Sequence, residues 1–391
     1  IMRALAHWRL IQRFSKPWDG TTDNDEQSGI ILMKQYDPLK GAKSKKATRA
    51  EVYKAMIEDL DYAIANIADD ANKDVKPAIY LTRDYAYAIK ARVCLTMHDW
   101  QGAVDACNAF MDKYPINVDG DAAAKTKALS SIWHTEDSPE ILVRLRATAQ
   151  DGAVRSSLLA GSHQEGYSNP SDYKDKSKAW FIYYTPYLVL EKWVVDLYSA
   201  NDIRKEVYVG TRGFYRDDWP FKFNTLTKYS GNRALDTDKK VLEFKFGVHL
   251  FNVAEAYLIK AEALAELGKT ADAADVIVKL EKSRLSSGYP DPLDFGTKDE
   301  VLKEIRNERV RELVGEGFRT NDLVRWGMGF KRGEPQAGGL TAAGQLFGTS
   351  SAVQEVGRNL EKQAGDKMFI WEFPLRDREN NENLQNFRNW R

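Results

Sequence analysis

Two stretches, KARVCLTMHDWQGAVDAC (residues 90–107) and KAEALAELGKTADAADVI (residues 260–277), can be laid on one another at a constant offset of 170. Ala91 falls on Ala261, Ala103 on Ala273 and Asp105 on Asp275. Each reads as a helix, a tight turn and a second helix, with small residues where the two helices must approach closely. A hairpin of this kind cannot bury its apolar face alone, so copies stack on one another in the tetratricopeptide manner. The sequence therefore predicts a mostly α protein built on helical hairpins.

The helical period continues outside the two copies. Residues 1–14 repeat Leu5, Trp8 and Ile11 at helix spacing, and residues 48–67 set Val52, Met56, Leu60, Ala63 and Ile67 on one stripe. Thr48 and Glu51 have the spacing of a capping box. Residues 115–185, 205–247 and 328–391 lose the period and are rich in Gly, Asn, Asp, Ser and aromatic residues. Connections that long inside a compact protein are commonly functional. At 391 residues the chain exceeds what one simple core accommodates. We therefore expect an interleaved tetratricopeptide-like scaffold, residues 1–114 and 186–327. The three period-free segments would form a loop-rich subdomain facing ligand or partner.

Composition narrows the function. The chain holds 57 Lys and Arg against 57 Asp and Glu, with no block of five like charges, which argues against a nucleic-acid partner. No apolar run approaches the roughly 20 residues of a membrane span. Cys94 and Cys107 fall in apolar helical patterns and read as small buried hydrophobes. The five histidines are scattered, so neither a zinc site nor a Ser-His-Asp site is written locally. LGKT (267–270) ends like a phosphate-binding loop, but without the glycine-rich strand-to-helix turn it reads as a turn between helices. Asp217 and Asp218 beside Trp219 are the best local pair for glycosidase chemistry, although adjacent acids in a polar loop are usually solvated. No catalytic residue, metal or cofactor is predicted. The sequence opens on Ile1 of IMRALAHWRLIQRF and not on an initiator Met, so we expect that a longer N-terminus is missing or was removed by processing, and any targeting signal with it.

The most charged stretch is RNERVRELVGEGFRTNDLVRWG, residues 306–327, in which five basic and four acidic residues are threaded by Leu313, Val314, Phe318, Leu323, Val324 and Trp326. Glu308 and Glu312 lie one turn apart on one helical face with Arg309 and Arg311 interleaved, and Gly315 and Gly317 then break the helix. Partly desolvated charges are tolerable only if carboxylates and guanidiniums pair. We read Glu308, Arg309, Glu312, Arg319, Asp322, Arg325 and Trp326 as a buried structural network locking the last hairpin, the alternative being a ligand site.

The same stretch resembles the signature of the SusD/RagB family, ERxxELxxEGxRxxDLxRWG, at Glu308, Arg309, Glu312, Leu313, Glu316, Gly317, Arg319, Asp322, Leu323, Arg325, Trp326 and Gly327. MRALAHWRLIQRF, VDLYSANDIR (195–204), FNVAEAYLIKAEALAELG and the ending FPLRDRENNENLQNFRNW are similar to further family landmarks, in order. The ending departs from the family's form with Glu382 where Pro is usual and Phe387-Arg388 in place of Pro-Gly. The resemblance implies a non-enzymatic outer-membrane lipoprotein, exposed on the cell surface, that captures an oligosaccharide or other nutrient. It implies as partner a SusC-like TonB-dependent transporter, over which the protein acts as a hinged lid.

A sugar ring offers C–H faces to Trp and Tyr, and hydroxyls to Asp, Asn and Arg. Candidate ligand-binding residues are Trp18, Asp19, Asp23 and Asn24 in the first loop, Tyr167 and Trp180 in the second, and Arg212, Tyr215 and Trp219 in the third. Two other readings stay open: a tetratricopeptide-type scaffold binding a protein or peptide segment, and an all-α carbohydrate-active enzyme.

Overall fold

The computed structural model describes residues 1–18, 28–35, 44–68, 77–151, 156–157, 161–169, 171–172, 175–185, 190–213, 222–240, 243–333 and 361–384. Its helices include α1 (Met2–Phe14), α2 (Arg49–Asn66), α3 (Arg83–Thr96), α4 (Trp100–Asn108), α5 (Ala122–Ser130), α6 (Lys192–Asp196) and α7 (Arg204–Val207). After them come α8 (Val253–Glu266), α9 (Thr270–Arg284), α10 (Lys298–Leu313) and α11 (Arg319–Arg325). The mostly α class read from the sequence is what the chain adopts.

The two repeat copies are the hairpins α3–α4 and α8–α9, and the offset of 170 holds at helix starts, with Arg83 matching Val253 and Trp100 matching Thr270. Each turn needs one residue in the left-handed region, supplied by His98 at φ 59° and Gly268 at φ 78°. The next N–H then reaches back five residues, from Asp99 to the Cys94 carbonyl and from Lys269 to the Leu264 carbonyl, both at 2.9 Å. Ala103 and Ala273 are fully buried, as close helix approach requires. Starts are written in the sequence too. The Thr48–Glu51 capping box forms, and Thr297 with Glu300 makes a second at the head of α10.

α1, α2, α3, α4, α8 and α9 share one apolar core in which Val93, Cys94, Cys107, Ala261, Leu264 and Ile277 are buried. Both cysteines are free thiols. A second cluster gathers Leu129, Trp133, Tyr198, Tyr208, Leu226 and Tyr229 from the segments between the hairpins. α10 touches both cores. Val301, Leu302, Ile305 and Leu313 enter the first, while Val310 packs on the second.

Sheet is sparse among the described residues. β1 (Ile141–Leu145) pairs antiparallel with a strand at Val248–Asn252, a ribbon that hands Glu140 to the head of α8 through Val253 N–H to Glu140 O at 2.8 Å. Ser156–Ser157, Gly161–Tyr167 and Ala179–Thr185 form a three-stranded sheet, and Val209–Gly213 pairs with Lys222–Leu226. The first period-free segment is not free of helix, since it contains α5. In AAAKTKALS only Lys125 and Leu129 are buried, so no apolar stripe announced it.

Candidate functional site

The charges of α10 meet partners from four other parts of the chain. Glu308 accepts from Arg204 Nη1 at 2.5 Å and Arg311 Nε at 2.6 Å. Glu312 accepts from Arg204 Nη1, Arg284 Nε and Arg284 Nη2, each at 3.1 Å, and from the Tyr208 hydroxyl at 3.2 Å. Arg284 in turn grips Glu140 at 2.6 Å, and Arg204 grips Asp202 at 2.8 Å. Arg204 and Arg284 are each only 1% exposed. Lys228 caps the end of α10, donating to the Glu312 carbonyl at 2.7 Å and to Glu316 Oε1 at 2.6 Å, over the rings of Trp133 and Tyr208. A second knot joins α10 to α11 and α8. Arg309 donates twice to Asp322 at 2.9 Å, and Arg325 bridges Asp322 to Glu262, which also accepts from Trp326 Nε1 at 2.7 Å. Arg92 and Glu255 form a third, bidentate pair that ties the two hairpins together.

Charge balance decides how each knot titrates. Seven carboxylates (Glu140, Asp202, Glu281, Glu304, Glu308, Glu312, Glu316) share four cations (Arg204, Lys228, Arg284, Arg311) in the first. Burial alone would raise Glu312, but Arg284 and Arg204 hold it down to about 2. Burial raises Glu140 and Glu316 despite their cations. Glu281 is pushed up by burial and by the neighbouring Glu308 and Glu304. In the second knot burial is again outweighed, and Arg325 with Arg309 holds Glu262 at about 2. Glu281, Glu304 and Glu308 are the one trio of described acids spaced as metal ligands. The cation among them is the guanidinium of Arg311, which pairs with all three.

The structure places the expected network residues unequally. Glu308, Arg309, Glu312, Asp322 and Arg325 meet as described, and Trp326 joins them through its indole N–H. Arg319 does not. It is exposed, makes neither hydrogen bond nor ion pair among the described residues, and lies 5.7 Å from the ring centre of Trp193. The physical reason is that both acids three residues away are already taken, Asp322 by Arg309 and Arg325 and Glu316 by Lys228. Asp202 and Arg204 were not expected in the network, although VDLYSANDIR carried them in plain view. An Asp-x-Arg pair in a helical turn with no solvent-facing pattern was the available signal.

Of the expected ligand residues, Trp18 is half-buried, edge-on to Tyr53 at 5.4 Å with Arg49 5.9 Å from its centroid. Tyr167 and Trp180 fall at the same end of one strand pair, where Tyr167 lies opposite Ala179. Arg212 is opposite Phe223 in its own ribbon. Asp19, Asp23, Asn24, Tyr215 and Trp219 lie outside the described residues.

Two open clefts flank the Gly315–Phe318 turn. One, of about 220 Å³, lies between Arg9, Trp133, Tyr229, His249 and Phe318. The larger, about 390 Å³, runs between Leu190–Val194 and the segment from Arg309 to Asp322, with Arg332 at its edge. Sequence reasoning singled out no ligand contact in the second cleft. Trp193, 37% exposed there, sits in a short helix without a loop signature around it.

Helical hairpins locked by buried ion pairs, with clefts beside the locking turn, define a helical-repeat scaffold. Comparison with known proteins makes the class specific. Residues 247–390 match the sequence pattern described as the SusD family. A segment of 81 residues is 40% identical to the SusD-like protein P38 of Formosa agariphila, covering 19% of this chain and 16% of that relative. Among solved structures, a SusD superfamily protein from Bacteroides thetaiotaomicron superposes with a TM-score of 0.69 at 18% identity, covering 98% of this chain and 75% of its own. A SusD-like carbohydrate binding protein from Bacteroides vulgatus superposes with a TM-score of 0.63 at 19% identity, covering 86% of this chain and 64% of its own. The chain is thus SusD-like in fold over nearly its whole length and carries the SusD family's own sequence pattern over residues 247–390.

Proposed function

We propose that this protein binds a glycan at the bacterial cell surface and passes it to a SusC-like TonB-dependent transporter, without cleaving it. The observation that carries the reading is the SusD-like architecture across 98% of the chain together with the family pattern at its C-terminal end. The Bacteroides vulgatus neighbour is a carbohydrate binding protein, which supports the ligand class. The carboxylates described above are engaged with guanidiniums, which suits a frame and not an acid–base pair. Among the described residues no helix is long and apolar enough to cross a membrane; surface attachment through a lipid anchor is what the SusD-like resemblance suggests. The proposed sugar contacts are Trp18, Asp19, Asp23, Asn24, Tyr167, Trp180, Arg212, Tyr215 and Trp219. Buried Glu308, Arg309, Glu312 and Asp322, with half-buried Arg325 and Trp326, would keep the frame rigid behind them.

An open surface site of this kind binds in roughly the micromolar to millimolar range, about 4 to 8 kcal/mol, and closure against the transporter would retain the cargo. A glycan array followed by calorimetry tests the reading. We expect binding of at least one polysaccharide with no shortened product, and a loss of about tenfold or more in Trp18→Ala or Trp219→Ala. Release of shorter sugars would favour an enzyme. Binding that survives both substitutions would remove these residues from the site.

A further inference from the structure

We propose that the 390 Å³ cleft beside Trp193 is a subsite for an anionic sugar unit, with the Arg319 guanidinium as the fork that grips its carboxylate or sulfate. The proposal rests on the glycan reading above and names the chemistry of one unit of that glycan.

Five charged side chains line this cleft: Glu191, Arg309, Arg319, Asp322 and Arg332. Both acids are spent. Glu191 accepts from Arg332 Nη1 at 2.8 Å, Trp193 Nε1 at 2.8 Å and the Gly333 N–H at 3.1 Å. Asp322 accepts two bonds from Arg309 and more from Arg325. Once these pairs are set aside, one positive charge is left facing the cleft, and it belongs to Arg319. Among the described residues that guanidinium makes no hydrogen bond and no ion pair; it has only the rings of Trp193 and Trp326 beside it, at 5.7 and 5.9 Å. With no described acid paired to it, that charge gains most from an incoming anion.

A second observation points the same way. Arg309 is 4% exposed and uses Nε and Nη2 on Asp322, while its buried Nη1 has no hydrogen-bond partner. A buried guanidinium N–H without an acceptor leaves part of the Arg309 charge uncompensated behind the cleft wall, which favours a nearby anion. Charge-assisted bonds from an arginine fork match planar carboxylates and sulfates, whereas neutral hydroxyls gain much less. The remaining wall suits the C–H face of a sugar ring: Leu190, Val194, Val310 and Phe318, with Trp193 held in place by its bond to Glu191. The volume lies within the usual range for small-ligand sites, roughly 300–1,000 Å³.

The test is calorimetry on the full chain with three oligosaccharides of equal length: an oligogalacturonide, its carboxyl-reduced neutral counterpart, and a sulfated galacto-oligosaccharide. We expect at least one acidic ligand to bind tenfold or more tightly than the neutral one, with an affinity that weakens as salt rises. Arg319→Gln should abolish that preference while melting like the parent, because the side chain is exposed. Should that variant melt early, Arg319→Lys, which keeps the charge but loses the fork, should retain part of the preference. Which acidic ligand is preferred distinguishes carboxylate from sulfate as the group bound. Equal binding of neutral and acidic sugars, or a preference that survives Arg319→Gln, overturns the subsite and leaves the glycan reading standing. An acidic peptide that binds as tightly as the oligogalacturonide overturns the sugar assignment. Failure of all glycans on a broad array overturns both.

Discussion

The hairpins α3–α4 and α8–α9 share the length of their first helix and the geometry of their turn, yet α9 has 15 residues against 9 in α4 and their interiors differ. Their helices start at matched positions and their turns make the same back-bond. The first hairpin is almost wholly apolar inside, with Arg92 as its one fully engaged buried charge. The second buries Glu255, Glu262, Glu281 and Arg284. Helix packing therefore sets the shape of both, while only the second is wired into α10 and α11. Shape and wiring are separable properties, and they should respond to different perturbations.

The largest effect is expected where the wiring is cut. In Glu312→Ala, Arg204 and Arg284 each lose a buried acceptor and Tyr208 loses its hydroxyl partner. Removing one member of a buried ionic cluster costs about 3–5 kcal/mol, most of it from the charges left unpaired. Urea unfolding should show that loss, and the surviving folded fraction should bind glycan with unchanged affinity. Normal stability with abolished binding would instead place Glu312 in a ligand site.

The two layers were not equally legible in the sequence. The hairpins could be read because a helix repeats its apolar face every turn, and the copies align without a gap. The acids and arginines of residues 306–327 announced burial by their apolar neighbours, but their partners could not be named. Glu140, Asp202, Arg204, Lys228 and Arg284 come from distant segments that only the tertiary fold brings to α10. Arg319 shows the reverse case. Its spacing fits a network residue, but Asp322 is saturated by two other arginines and Glu316 is taken by Lys228, which leaves it facing outward. Trp193 was missed because a lone aromatic in a short helix looks the same whether it packs or binds.

Acid should expose the wiring next. Glu262 and Glu312 have folded values of about 2, below the ordinary carboxylate value. The unfolded chain then binds more protons as pH falls below about 4.5, so the stability these groups provide is present above that value and is lost on the way down towards 2. Glu140, Glu281 and Glu316 are shifted upwards, and their contribution has the opposite sign: it is complete below about 4.5 and declines as pH rises. Protection against amide exchange, corrected for the intrinsic rate that itself falls with pH, should therefore drop in α8 and α10, which carry Glu262 and Glu312, before it drops in α3 and α4 as pH is lowered from 7 to 3. Equal loss of protection in α3 and α4 would mean that the wiring holds the whole scaffold and not its second half.

The smallest effect separates the two turns themselves. Gly268 at φ 78° would meet nothing within 4 Å if given a Cβ, so Gly268→Ala tests the backbone conformation alone. A left-handed alanine costs about 1–2 kcal/mol relative to glycine. His98 bears that cost already at φ 59°, and its ring stacks on Trp100 at 4.8 Å with the planes 16° apart. Such a pair contributes about 0.5–1.5 kcal/mol, enough to offset the strained backbone. We therefore expect Gly268→Ala to lower the unfolding free energy from urea titration by about 1–2 kcal/mol and His98→Gly to change it by less than about 0.5 kcal/mol, because relief and lost stacking cancel. If His98→Gly instead stabilises by a full kcal/mol, the stack contributes nothing, and the first hairpin carries strain that the second was built without.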